Sequence, residues 1–263
     1  MLKGVYLGKK ADGSNLYRAS ITHNLKHISL GSFPDEKTAH RAYLEAARLF
    51  KSKRPFEKLI ESHSEERHLL SFEKWVSLIN MRDNRMYIKT PIYLEKRSFL
   101  YFLDKNTHYR FDVDDLFYYS NHKIMKRGSH LFVADYGMQV SILSRYGIKS
   151  YAVMGRDYRF ANGDPYDLRY ANIEIINKYF GVFKESKNGT DIYVTKIHVN
   201  GDIIVGKYKS EAEAAVAYNR AADILKQKGV KKNFTSNFVE ELSEIEYASL
   251  FNRVRISDKI RNY

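Results

Sequence analysis

The chain has 263 residues, 44% of them hydrophobic and 14% aromatic, and carries a formal net charge of +13. Cysteine is absent, which excludes disulfides, thiolate zinc sites and thiol nucleophiles. No apolar run approaches the roughly 20 residues of a membrane span, and the positive balance favours a polyanionic partner: DNA, RNA or an acidic membrane surface.

The first segment opens on Gly4-Val5-Tyr6 directly after Met1-Leu2-Lys3, so no secretory leader is expected. Leu16 to Thr22 alternates as a strand, with Tyr17, Ala19 and Ile21 on one side and Arg18, Ser20 and Thr22 on the other. After a turn near Asn24 to Lys26, Ile28 and Leu30 continue the apolar face, and His27 and Ser29 lie outside. Pro34-Asp35-Glu36 then opens a helix to about Phe50, with its acidic residues in the first turn. Ala39, Ala42, Tyr43, Ala46 and Ala47 form a small-residue stripe that lets the helix lie close on a sheet. The expectation is a three-stranded antiparallel sheet with one helix across its back and its other face free.

Residues 51–85 read as charged and mostly helical, with Ser71 to Ile79 a capped amphipathic helix and Trp75 a core anchor. His63 and His68 are read as surface residues of a polar helix. From Thr90 the texture turns to short strands: Ile92–Leu94, Phe99–Leu103, Leu131–Val133 and Val140–Leu143. Asp112, Asp114 and Asp115 lack the glycine and terminal glutamate of a calcium loop and read as a turn or helix start.

The pattern of the first segment then returns. Gly4-Val5-Tyr6 is matched by Gly181-Val182-Phe183, and Ile28 to Phe33 by Ile203 to Tyr208. Ala42-Tyr43-Leu44-Glu45-Ala46-Ala47 is matched by Ala217-Tyr218-Asn219-Arg220-Ala221-Ala222. In the second copy Asn200-Gly201 is a hairpin signal, and Ser210 with Glu213 makes a capping box ahead of the helix. Val239 to Val254 has helical spacing through Leu242, Ile245 and Leu250, suited either to a dimer arm or to a cover for the second copy.

These ordered motifs, present twice, resemble the AP2/ERF DNA-binding domain, whose pattern is GV, a strand pair ending LGxF, and AAxAYxxAA. Asn233-Phe234 also matches the NF that often follows its helix. The resemblance implies a sheet laid in the DNA major groove, reading bases with outward strand residues. Carried onto this chain, those positions are Lys3, Tyr6, Arg18, Ser20, Thr22, His27 and Ser29 in the first copy, with Lys9 beside them. In the second copy they are Phe180, Phe183, Val194, Lys196, His198, Asp202 and Ile204. The arginine- and tryptophan-rich reading set of the plant members is not reproduced. Residues 1–60 hold 12 Lys/Arg against 5 Asp/Glu, more than half of the net charge. The first copy is thus the expected main reader, while the apolar face of the second could instead pack on the middle domain.

Between the copies, Asn162-Gly163-Asp164-Pro165-Tyr166-Asp167-Leu168-Arg169-Tyr170-Ala171-Asn172 resembles the core of HNH homing endonucleases that carry a C-terminal AP2 module. The departures matter more than the match. The family's Asp-His pair falls on Arg159-Phe160 and its central Asn on Leu168, while Asp167, Arg169 and Asn172 are retained. The upstream histidine is missing whether the motif is placed on Ser144-Arg145 or on Ser150-Tyr151. Phosphodiester hydrolysis needs a base and charge stabilisation at the phosphate, and phenylalanine supplies neither. Arg159 repels a metal and attracts a phosphate. The remaining metal option is Asp157, Asp164 and Asp167 alone, against a role for Asp164 and Asp167 as turn residues.

The sequence is therefore read as an α+β chain: an AP2-like domain over 1–56, a helical linker over 57–88, and a degenerate HNH-like domain over 89–177. A second AP2-like domain follows over 178–238, then a helical tail over 239–263. The expected function is sequence-specific binding of double-stranded DNA by a transcriptional regulator of bacterial or phage type, cytoplasmic and nucleoid-associated. No catalysis, cofactor, metal or membrane partner is expected. Lys149, Arg159 and Arg169 are expected to grip phosphates, with Lys196 and His198 contributing from the second copy. A homodimer through the tail or through the apolar face of the second copy is a further option. Alternatives are a nuclease with a rearranged metal site, an accessory factor in recombination or replication, and a protein-interaction module.

Overall fold

The structure is a computed structural model that describes residues 1–9, 12–187 and 189–263. It is α+β, with seven α-helices and several small antiparallel sheets among the described residues. The chain packs into two compact units, residues 1–142 with 162–172, and residues 143–161 with 173–263.

In the first unit, β1 (Val5–Lys9), β2 (Asn15–His23) and β3 (Lys26–Phe33) form an antiparallel sheet in that order. Helix α1 (Glu36–Lys51) starts at Asp35, whose carboxylate accepts from the Thr38 N–H (2.8 Å), and ends with Arg48 and Lys51 in its last turn. Both ends thus suit the helix dipole. Ala39, Ala42 and Ala46 are fully buried, so α1 sits close on the sheet. Gly4 shows how close: a Cβ there would lie 2.1 Å from the Tyr43 ring, and its φ of +78° also calls for glycine.

The register in this sheet breaks once. Ala19 pairs with Gly31 and Ser20 with Ser29, so Leu30 is an extra residue in β3 and makes a bulge.

Helix α2 (Phe56–Ser62) and helix α3 (Phe72–Asn84) follow. Ser71 caps α3 by accepting from the Lys74 N–H, and α3 stops at Arg85 in the left-handed region. Trp75 is buried and donates from Nε1 to the Leu59 carbonyl (2.9 Å). One apolar core joins the first sheet, α1, α2, α3 and the residues Leu100 and Phe102. His63 departs from the surface reading. It is 3% exposed, between Phe72 and Trp75, with Nε2 against the Leu70 carbonyl (2.9 Å) and its ring stacked on His68. Burial holds its pKa below the ordinary histidine value.

Strands β4 (Ile92–Leu94), β5 (Ser98–Phe102) and β6 (His108–Asp112) form a second antiparallel sheet, with β5 buried along its length. Buried Asn80 ties β4 to α3: its Oδ1 accepts from the Leu94 N–H and its Nδ2 donates to the Met86 carbonyl, both at 2.8 Å. Helix α4 (Leu116–Asn121) leads to a third sheet of β7 (Ile124–Arg127), β8 (His130–Asp135) and β9 (Met138–Ser141). Ile142 and Leu143, expected in a strand, instead begin a 3-10 turn to Tyr146.

In the second unit, β10 (Tyr158–Phe160) pairs with β11 (Ile173–Ile175). The second copy of the repeat folds as β12 (Val182–Lys187), β13 (Thr190–His198) and β14 (Asp202–Tyr208), backed by α5 (Glu211–Gln227). Its details repeat those of the first. Ser210 caps α5 by accepting from the Glu213 N–H. A Cβ on Gly181 would lie 2.5 Å from the Tyr218 ring. Thr195 pairs with Gly206 and Lys196 with Ile204, leaving Val205 as the bulged residue. The tail, with α6 (Glu244–Arg253) and α7 (Asp258–Arg261), packs back on this copy through Val239, Val254, Ile256 and Ile260. Ser257 donates to the edge of β14, N–H to the Val205 carbonyl and Oγ to that of Ile204. Of the tail's spacing residues, Leu242 and Leu250 join the core and Ile245 is exposed.

Candidate nucleic-acid interface

The face of the first sheet away from α1 carries the sequence-predicted residues. Tyr6 and Arg18 are direct partners across β1 and β2, and Thr22 and His27 are partners across β2 and β3. Tyr6, Arg18, Thr22, His27 and Ser29 are all exposed, as are Lys3 and Lys9 at the margins. The Tyr6 ring meets the His27 ring edge-on (centroids 6.4 Å), and Thr22 Oγ1 lies 3.4 Å from His27 Nδ1. Arg18 lies over Gly8, where a Cβ would come 3.2 Å from its Nε. The face thus presents one guanidinium, an aromatic ring and short donor-acceptor side chains, a set suited to base edges and phosphates.

Two positions on this face depart from the alternation. Ser20 is 6% exposed and is not available to a ligand. Its N–H donates to the Gly4 carbonyl (2.9 Å), which holds β2 against the Gly4 turn beside the bulge. Ser32, missed by strict alternation, is exposed opposite Arg18, because the extra residue at Leu30 shifts the outward set by one place. Gly31 inside the strand was the available signal.

The turn joining β2 and β3 has both Asn24 (φ +46°) and Leu25 (φ +62°) in the left-handed region. Asparagine tolerates this conformation, whereas a residue such as leucine there costs about 1–2 kcal/mol. Leu25 is fully exposed.

The matching face of the second copy is covered within its own unit. Val194, predicted to point at bases, is 1% exposed. The Phe183 ring lies between Arg156 (5.5 Å) and Lys196 (5.3 Å), and Tyr151 meets Phe180 edge-on at 4.7 Å. Residues 151–157 thereby roof this sheet, leaving a cavity of about 190 Å³. Beneath it Asp157 accepts from Arg156, the Val153 N–H and Asn177. Burial alone would raise the Asp157 pKa, but these donors outweigh it and hold the carboxyl below its ordinary range. Lys196 is half-buried, and exposed His198 is paired with Asp202 (2.8 Å).

The three cations predicted to grip phosphates fare differently. Lys149 is exposed. Arg159 is exposed and paired with Glu174 (2.6 Å), an open pair that a phosphate can compete with. Arg169 is engaged by buried Asp167, from Nη2 to Oδ2 (2.6 Å) and from Nε to Oδ1 (2.8 Å). Those bonds hold the Asp167 carboxyl below its ordinary range in spite of its burial.

Asp164 and Asp167 belong to a self-bonded loop. Asp164 Oδ1 accepts from the Tyr166 N–H, Asn162 donates to Asp167, and Asn172 Nδ2 donates to the carbonyls of Asp164 and Asp167. The loop adds to β6 through the Arg110 N–H to the Tyr166 carbonyl and the Leu168 N–H to the Arg110 carbonyl. Leu168, at the family's central Asn position, is buried. Among the described residues no group of three or more histidines and carboxylates is placed to hold a metal ion, and no helix is long and apolar enough to cross a membrane. Comparison of the chain with protein-family models, with curated proteins and with solved structures gives no match.

Proposed function

We propose that the chain is a sequence-specific double-stranded DNA-binding protein that reads its site with the open face of the first sheet. The observation that carries this reading is the cluster of Tyr6, Arg18, Thr22, His27 and Ser29 exposed on one sheet face, in the region that holds more than half of the net charge. The repeat, with its Gly–Tyr contact and its bulge in both copies, supports the AP2-like reading. The fit of a two- or three-stranded face to the major groove supports DNA over other polyanions. The role that suits such a protein is transcriptional regulation in a bacterial or phage setting.

The middle segment is proposed to be a retired HNH core. Supporting this, Asp157 and Asp167 are each occupied by an adjacent arginine and an asparagine amide, and Phe160 stands where the general base would be. Arg159 is the cation of this region best placed to take a phosphate.

The test is selection of bound sequences from random duplex DNA, followed by titration against salt. A single preferred site is expected. With about 6–10 phosphate contacts, affinity should fall by about 10³–10⁵ between 50 and 200 mM salt. A flat salt response removes the reading. Incubating the selected duplex with the protein and magnesium or manganese should leave it uncut, and cuts lost on Asp167→Ala would make the chain a nuclease.

A further inference from the structure

We infer that Leu25 is an apolar reading residue that packs on a thymine methyl group in the major groove; this rests on the DNA-binding reading above. Three observations carry it. Leu25 is held at φ +62°, in a conformation that favours glycine or asparagine. It is also fully exposed, so no contact within the protein repays that conformation. The corresponding turn of the second copy is one residue shorter and holds no non-glycine residue at positive φ; there only Gly201 (φ +153°) has one.

The position suits the task. Leu25 sits at the tip of the hairpin that carries Thr22 and His27, three residues from one and two from the other, with exposed Lys26 beside it. A sheet face lying in the major groove carries this tip along the groove, where the one apolar group on the base edges is the thymine 5-methyl. Lys26 provides a cation for the neighbouring phosphates. A strained, exposed leucine next to a polar reading face is explained by an apolar contact made only in the complex.

The full-length chain and its Leu25→Gly and Leu25→Asn variants would be compared on the selected duplex. Both variants should melt at the same temperature or higher, because each suits the left-handed turn better. Both should bind about tenfold more weakly, the worth of a partly buried leucine side chain. In the wild type, replacing one thymine of the site by deoxyuridine should weaken binding about fourfold, the worth of one buried methyl carbon. That replacement should have no effect on either variant. Unchanged affinity in the variants overturns the inference, and so does a site in which no deoxyuridine replacement is felt. If the wild type binds no duplex at all, the DNA-binding reading fails and this inference falls with it.

Discussion

The two copies of the repeat have the same frame and opposite outer faces. In both, a glycine of positive φ receives a tyrosine ring from the helix, alanines seat that helix on the sheet, and the third strand bulges one residue before its glycine. The N–H at the bulge also makes the same bond in each, Ser20 to the Gly4 carbonyl and Lys196 to that of Gly181. Yet the outer face of the first sheet is open, while the outer face of the second lies under residues 151–157. The frame is fixed by close packing, which tolerates few residues. The outer face is fixed only by what meets it, and so it is free to diverge into a polar surface in one copy and an apolar seat in the other.

That contrast can be broken or sharpened by mutation. The largest effect is expected on the shared frame. Gly4→Ala and Gly181→Ala would each force a Cβ into a tyrosine ring at an unfavourable φ, and each should destabilise its own unit by about 2–4 kcal/mol in denaturant titration. A much smaller loss at one glycine would show that the two frames are not equivalent. The next effect should separate the faces. Arg18→Ala should lower affinity for the preferred site by about 1–3 kcal/mol and flatten discrimination at one base position. Lys196→Ala should change it by less than about 0.5 kcal/mol, and equal losses would mean that both copies read DNA. The smallest effect is one of pH. His63 is buried with its pKa lowered, so the unfolded chain binds its proton more readily than the folded one. Its contribution is intact above the ordinary histidine value of about 6.5 and declines as pH falls below it. The second unit has only exposed His198. Melting followed from pH 7.5 to 5.5 should therefore lower the stability of the first unit more than that of the second, and His63→Gln should reduce the difference, leaving the share of His108, whose pKa is also held down by burial.

Much of the frame was legible in the sequence because it depends on local spacing. The recurrence of Gly-Val-aromatic and Ala-Tyr-x-x-Ala-Ala reflects the Gly4–Tyr43 and Gly181–Tyr218 contacts, and Asp35 and Ser210 mark helix starts by cap chemistry. The outer faces were legible only in part. A bulge slips the alternation without changing residue type, which hid Ser32. Simple alternation also placed Ser20 at the surface, where the bond at the Gly4 turn withdraws it. Val194 looked outward for the same reason; it is buried beside its cross-strand partner Phe183, whose ring is met by Arg156 from an earlier segment, a contact no local pattern encodes. His63 was misread because its neighbours Ser64-Glu65-Glu66-Arg67 are polar, while the aromatic walls that enclose it come from Phe72 and Trp75.

The seat of Ser257 on β14 has a consequence for solubility. β14 is an edge strand, and an edge with free carbonyls is a template on which another chain can add a strand. By donating twice to Ile204 and Val205, Ser257 occupies that template, and the bulge at Val205 bends it further out of register. A chain cut before Val254 would lose this guard together with the apolar cover of Ile256 and Ile260. Such a chain should self-associate more readily than the full chain, which light scattering would read.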